Sequence, residues 1–330
     1  MYSVSDGKCA TIICGNLAQT NKYHSSISAK FRPSPVGIWM MNSASRGRDS
    51  SGQRNHAKPH DVKLTSGPMG EQNTAYEFYG RITSYLSIPH SESMDVGANG
   101  SFTFTAFVKT AKSTAAFIDY NQNSPYALHI WSYPSFTLNA NMPSRSPHRS
   151  HEKYFLSLKL TANTWHFIGV SQDSPKTKLI GVVDDKSETD DFGGWKVYTN
   201  TSETYLGRRL SESNSFLEGK MSCTMLFNVP LSFNEMQRAR KFCMKNAKKS
   251  DSVFKKFSDG AIPSHHRLTQ RQAEALIQCS RLCHKNDACM SFSYELTTKA
   301  CVLSNTDFFL ETVSTETATG MDVYSTFFFR

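Results

Sequence analysis

The chain has 330 residues, a formal net charge of +9 at pH 7, and 38% hydrophobic against 20% charged residues. That apolar content excludes global disorder, and the length suits about two domains. No run of about 18 apolar residues exists to span a membrane, and the positive balance points to an acidic partner such as nucleic acid, anionic lipid or sulfated glycan.

Residues 1–35 show little periodicity and read as an N-terminal segment left over from another module. Cys9 and Cys14 close a short loop there, and Arg32-Pro-Ser-Pro35 reads as a linker. Met1 to Lys8 has neither a basic n-region nor an apolar h-region, so it is not a signal peptide. A fragment, a mature form or a late-starting gene is therefore expected. The eight cysteines are Cys9, Cys14, Cys223, Cys243, Cys279, Cys283, Cys289 and Cys301. An even, clustered set favours disulfides and an oxidising compartment.

The pattern changes over residues 36–244. Ser101-Phe-Thr-Phe-Thr-Ala-Phe-Val108 places Phe102, Phe104, Ala106 and Val108 on one side, the period of a half-buried strand. Tyr154 to Leu160 repeats it, with Leu156, Leu158 and Leu160 inward. Leu217 to Phe227 alternates again, with Met221, Cys223, Met225 and Phe227 on one side. Shorter strands are predicted at 76–79, 85–88, 116–120, 126–131, 165–170, 178–183 and 204–207. Many short strands between Gly, Pro, Asn and Ser clusters indicate an antiparallel sandwich, and no βαβ alternation appears.

Ser232-Phe-Asn-Glu235 is a capping box, which predicts a closing helix with Phe233, Met236 and Ala239 at helical spacing. Cys223 on the last strand and Cys243 on this helix are natural partners. Residues 245–258 read as a basic linker. In the remaining segment, 259–330, Thr269-Gln-Arg-Gln272 is a second capping box that opens a helix carrying Ala273, Leu276 and Ile277. Cys279 and Cys283, four apart, face the same way on it. Strands are predicted at 290–294, 300–303 and 323–328.

Several constellations bear on chemistry. Glycan hydrolysis needs two carboxylates about 5–10 Å apart. The nearest candidate is Glu188-Thr-Asp190-Asp191, which reads as a solvated turn. Neither Gly-x-Ser-x-Gly nor His-Glu-x-x-His occurs. Calcium is the one cofactor left open, from Asp119 with Asn121 or from Asp184 with Asp185 in rim loops, and no metal is assigned. Four tryptophans offer rings that can stack on sugars: Trp39 and Trp165 fall in strand motifs and read as core, whereas Trp131 at a strand end and Trp195 after Gly193-Gly194 are open to exposure, with packing the more frequent role. The sequons Asn99-Gly-Ser101 and Asn200-Thr-Ser202 offer N-glycosylation at Asn99 and Asn200.

The charge is concentrated. Residues 238–257 hold eight Lys and Arg and a single Asp, so most of the chain's +9 lies there. If the closing helix continues past Cys243, then Arg238, Lys241, Lys245 and Lys248 or Lys249 line one face. Such a stripe suits sulfated glycans. Nucleic acid is not expected, because no recognised motif accompanies the charge.

Two families are resembled. Pro35-Val-Gly-Ile-Trp-Met-Met-Asn42, Ser45-Arg-Gly-Arg-Asp49, Ala75-Tyr-Glu-Phe-Tyr-Gly80, Trp165-His-Phe-Ile-Gly-Val170, Thr204-Tyr-Leu-Gly-Arg208 and Phe216-Leu-Glu-Gly-Lys-Met221 resemble laminin-G-like, concanavalin A-like domains. Cys279-x3-Cys283-x5-Cys289-x2-Phe292-x-Tyr294 with Lys299-Ala-Cys301-Val-Leu303 resembles the PAN/apple module. The first resemblance implies a jelly-roll sandwich. The second implies a small α+β module with Cys279–Cys301 and Cys283–Cys289 pairing. Together they imply a secreted, non-enzymatic recognition or adhesion protein for carbohydrates or extracellular proteins, without membrane insertion. A glycan-degrading enzyme of concanavalin A-like fold and a structural matrix component are the alternatives.

Overall fold

The computed structural model describes residues 32–43, 45–120, 127–143, 153–191, 196–199, 203–210, 215–247, 254–286, 289, 291–305, 315 and 320–326. They fall into two compact units, one within 26–250 and one within 251–330. The larger contains β1 (Gly37–Trp39), β2 (Lys58–His60), β3 (Lys63–Thr65), β4 (Ala75–Tyr79), β5 (Tyr85–Ile88), β6 (Ser101–Thr110), β7 (Ala115–Tyr120) and β8 (His129–Ser132). It continues through β9 (Thr137–Asn141), β10 (Lys153–Lys159), β11 (His166–Asp173), β12 (Lys178–Val183), β13 (Lys186–Asp191), β14 (Thr204–Leu206) and β15 (Glu218–Phe227), and ends with helix α1 (Phe233–Ala247).

One sheet runs β13-β12-β11-β6-β15-β4-β3, with β1 also on β15; the other runs β10-β9-β8-β7-β14-β5-β2. Every pairing is antiparallel. The inner faces of both share one core: Phe102, Phe104, Ala106 and Val108 of β6 meet Leu86, Ile118, Ile130, Leu138 and Leu206 of the opposite sheet. The molecule is therefore mainly β, with a two-sheet sandwich in this unit.

The first sheet is not half-buried. Strand β6 is buried on both faces, because α1 covers the outer one. Phe107, Phe167, Val182, Met225 and Phe227 pack there with Met236, Ala239 and Cys243 of the helix. Gly169 makes the close approach possible: a Cβ at that position would lie 2.6 Å from the Met236 sulfur. Of the threonines of β6 on this face, Thr103 is hydrogen-bonded locally, whereas the buried Thr105 hydroxyl has no partner. Thr103 Oγ1 donates within reach of Ser171 Oγ (3.0 Å) and accepts from Leu231 N (2.9 Å), just ahead of the helix.

The alternation expected along β15 breaks at Cys223. Ser222 pairs with Phe107 but Met225 pairs with Thr105, so one extra residue is inserted. This bulge, with Cys223 at φ 41°, reverses the phase of the strand. Met221 and Leu226 face the sandwich core, whereas Cys223, Met225 and Phe227 face α1. Cys223 thereby reaches Cys243 of the helix in a disulfide with Cα atoms 5.7 Å apart.

The smaller unit contains β16 (Phe254–Asp259), β17 (Arg267–Gln272), helix α2 (Leu276–Lys285), β18 (Ser291–Glu295), β19 (Ala300–Ser304) and β20 (Met321–Thr326). Its sheet runs β16-β20-β18-β19-β17. Helix α2 packs by Cys279 and Cys283 on Phe292, Tyr294, Cys301, Leu303 and Tyr324. Two corrections to the sequence reading arise here. The run read as a linker ends in strand β16, which pairs with β20 over Phe254–Asp259. Thr269 caps no helix: it lies in β17, paired with Leu303, and α2 begins later, at Leu276. Hydrogen bonding to the open edge of β19 outweighs a local cap that would satisfy only two amides.

Candidate functional site

Helix α1 begins as its sequence requires. Ser232 N and Oγ donate to Glu235 Oε2, each at 2.8 Å, and Glu235 N donates back to Ser232 Oγ at 3.4 Å. The backbone amide of Ser232 holds the Glu235 carboxyl below its ordinary pKa, against a smaller upward pull from burial. Met236, Ala239 and Cys243 face the sheet. At 100° per residue, Arg238, Lys241 and Lys245 are centred about 160° away round the helix, and all three are exposed. Arg238 lies 3.3 Å from Glu235. Arg240 turns to the flank, 2.8 Å from Asp185 and 3.9 Å from Asp184. Lys248 and Lys249 lie outside the described residues. The placed part of the stripe is thus an outward row of three cations on a rigid helix, which can pair with spaced anionic groups.

Asp184 and Asp185 do not read as a calcium pair. Asp184 Oδ2 takes His166 Nδ1 at 2.6 Å and its Oδ1 accepts from Phe167 N at 2.9 Å, while Asp185 faces Arg240. Asp119 is the penultimate residue of β7, flanked by Tyr205 and His129 of the neighbouring strands, and it accepts from Leu210 N at 3.3 Å; Asn121 lies outside the described residues. No group of three or more His, Cys, Asp or Glu suited to a metal occurs among the described residues.

The acidic run 188–191 is not a turn but edge strand β13, paired with β12 and exposed along most of its length. Glu188 Oε2 accepts from Ser157 N at 2.5 Å, and Asp191 pairs with Lys178 at 2.5 Å. Charges on an edge strand discourage pairing with other chains. The short turn Asp184-Asp185 returns the chain antiparallel, and the polar composition that suggests a loop marks an edge instead.

The outer face of the second sheet carries residues that the sequence reading did not select. His60 stacks on Tyr85 at 4.4 Å, and the Arg208 guanidinium lies 3.5 Å from the Tyr85 ring and 4.0 Å from that of Tyr205. Tyr205 donates to Glu203 at 3.1 Å. Burial, then the Glu203 hydrogen bond, raises the Tyr205 hydroxyl; burial, then Arg208, lowers His60. The outward phase of Tyr205 is visible in Thr204-Tyr-Leu206, where Leu206 faces the core, but Arg208 lies past Gly207 and outside that alternation, and the neighbours of both come from β2 and β5, far away in sequence. Trp39 and Trp131 are buried. Trp165 is half-buried against the α1 cluster, and Trp195 lies outside the described residues.

Disulfides join Cys279 to Cys301 and Cys283 to Cys289, with Cα atoms 5.6 and 5.2 Å apart. Cys9, Cys14 and Asn200 lie outside the described residues. Asn99 closes a short 3-10 helix, Val96–Asn99, ahead of Gly100.

Residues 243–328 match the family model described as PAN domain. No protein with a curated description matches the chain in sequence. Among solved structures, the chain is similar to the binding domain of botulinum neurotoxin serotype D/C, with 13% identity and a TM-score of 0.50, over 69% of this chain and 54% of that one. It is also similar to the binding domain of Paraclostridial Mosquitocidal Protein 1, with 12% identity and a TM-score of 0.49, over 66% and 53%. The chain thus spans about half the length of these neighbours, and at such identity the likeness concerns the fold alone. The molecule is a mainly β protein, a sandwich followed by a small disulfide-bonded module with the match to the PAN domain at 243–328.

Proposed function

We propose that this protein is an extracellular, non-enzymatic recognition protein that binds sulfated glycans through the outward face of α1. The sandwich, read as laminin-G-like, holds that helix rigidly, and the PAN module adds a second surface for proteins or carbohydrates. The carrying observation is the cationic row Arg238, Lys241 and Lys245, fixed opposite a buried seam that a disulfide anchors. The three disulfides among the described residues, two of them in the small module, favour an oxidising compartment, where sulfated glycans are the abundant polyanions. Attraction between such a row and sulfate is weakened by salt. The test is heparin-column elution of the full chain beside a variant with Lys241, Lys245, Lys248 and Lys249 changed to Ser. Elution of the variant at clearly lower salt is expected. Equal salt for both would refute the α1 assignment.

A further inference from the structure

Apolar side chains scattered singly over a surface are ordinary in soluble proteins. On the sandwich they are not scattered. Among its described residues four large apolar side chains are exposed: Met69, Tyr79, Ile82 and Tyr133, the last three at 39, 57 and 49%. Strand register places those three at one end. Leu86 pairs with Leu206, Leu206 with Ile118, and Ala115 with Ser132. The turn 80–84 ahead of β5, the turn 111–114 ahead of β7 and the turn 133–136 after β8 therefore share that end. Tyr79 closes β4 there on the outer face, since Tyr76 and Phe78 point inward. Three strand spacings, about 14 Å, separate the turns that carry Ile82 and Tyr133. Met69 lies in the β3–β4 turn, at the opposite end.

Polar bonds hold both tips, so their apolar side chains are presented on a fixed frame. Arg81 forks onto Asp61 at 2.6 and 2.8 Å, and Thr83 Oγ1 donates to the same carboxylate at 2.7 Å. Arg208 Nη1 donates to Ile82 O at 3.1 Å. In the other turn Tyr133 N donates to Thr137 O at 2.8 Å, and Thr137 N to Pro134 O at 3.0 Å. The charge around the tips is one-sided. The turns 80–84, 111–114 and 133–136 contain Arg81 and Lys112 and no Asp or Glu. The carboxylates beside them are matched: Asp61 by Arg81, Glu218 by Lys112, Asp184 by His166 and Asp185 by Arg240. Lys159, level with Thr137, is exposed and in no ion pair among the described residues. Lys109 and Lys220 stand directly opposite each other, and their cross-strand row continues through Glu77 to Lys63, three cations for one acid. Like charges set opposite each other repel, and an external anion relieves that repulsion.

We propose that this end of the sandwich docks peripherally on a membrane leaflet that carries anionic phospholipid. Ile82 and Tyr133 sit on separate turns, and a fluid surface receives each tip independently, whereas a protein partner would need two matched pockets. An aliphatic tip flanked by tyrosines suits the boundary between acyl chains and headgroups, where a ring with one polar end is at home. Behind the tips, Lys109, Lys159 and Lys220 have stems long enough to lie along the surface while their ammonium groups meet lipid phosphates. The contact is superficial: side chains reach the headgroup boundary and no segment of the chain crosses it. It is independent of the outward row on α1, because the tips bring apolar contact that the helix face lacks.

The test is co-sedimentation of the full chain with vesicles of phosphatidylcholine alone and of four parts phosphatidylcholine to one part phosphatidylserine. Saturable binding to the mixed vesicles is expected, at least tenfold tighter than to phosphatidylcholine. Ile82→Ser with Tyr133→Ser should weaken it at least fivefold and leave thermal stability and heparin elution unchanged, since both side chains are exposed. Ile82→Trp should shift tryptophan emission to the blue on the mixed vesicles, which attraction between charges alone does not produce. Absence of binding to the mixed vesicles, equal binding to both kinds, or binding unaltered in the double Ser variant would overturn the proposal. Loss confined to a variant of the α1 lysines would assign the lipid contact to that helix instead. Self-association that Ile82→Ser abolishes, without vesicle binding, would assign the tips to a second copy of the chain, and either result also overturns it.

Discussion

Two disulfides of nearly equal span invite comparison. Cys223–Cys243 closes 20 residues in the sandwich, and Cys279–Cys301 closes 22 in the smaller unit. In the chain-entropy model each contributes about 3 kcal/mol by restricting the unfolded state. Their settings differ. The sandwich disulfide joins a helix to a sheet already packed through Phe107, Phe167, Met225 and Met236, beside a second and larger core between the sheets. In the smaller unit the four cysteines are themselves part of a limited core with Ala273, Phe292, Tyr294, Leu303 and Tyr324. A small domain buries proportionally less surface, so the same crosslink is a larger share of its stability. The worth of a disulfide is therefore read from the core around it, not from its span.

The largest effect should come from Cys279→Ala with Cys301→Ala. The smaller unit should lose its cooperative melting transition at physiological temperature while the sandwich transition stays in place, because the units have separate cores. Calorimetry resolves the two, and a retained second transition would undo the comparison. Next comes Cys223→Ala with Cys243→Ala. A loss of about 3 kcal/mol in a unit of this size lowers the midpoint by roughly 6–12 °C and leaves it folded. Collapse of the sandwich in this variant would show that α1 is held by the crosslink rather than by its apolar seam.

The smallest effect concerns acid. Burial by itself would raise the Asp184 carboxyl, but hydrogen bonds from His166 and Phe167 N, with the charges of His166 and Arg240, bring its pKa below the ordinary value. Glu235 is lowered in the same sense by the helix cap. A carboxyl depressed in the folded state stabilises above its unfolded pKa, near 4, and that contribution disappears as pH falls through the folded value. The sandwich transition should therefore weaken below about pH 4. Asp184→Asn should cost about 1 kcal/mol at pH 7, discounted for partial exposure, and should flatten the acid limb. An unchanged acid limb would remove Asp184 from the explanation and leave the helix cap.

Much of the fold is legible in the residues. Alternation marks β6, β10 and β15, and the Ser232–Glu235 box marks the start of α1. The cysteine spacing with Phe292 and Tyr294 identifies the smaller unit by resemblance. What escapes has a common cause. Strand β13 and strand β17 are edge strands of mostly polar sequence, stabilised by pairing with β12 and β19 rather than by local preference. The cationic face of α1 follows from helical spacing alone, whereas the cluster of His60, Tyr85, Tyr205 and Arg208 requires β2, β5 and β14 to become neighbours.

The amino-acid sequence by itself determined the architecture: period-two runs make strands, a capped amphipathic run makes the closing helix, and cysteines sit where helix and strand can meet. Tertiary structure decided which way individual side chains point. The bulge at Cys223 shifts a whole strand end by one phase, and register across β5, β14, β7 and β8 brings the turns that carry Ile82 and Tyr133 to one end of the sandwich. Both depend on pairings between distant segments, and a single residue of offset reverses the face that a side chain occupies.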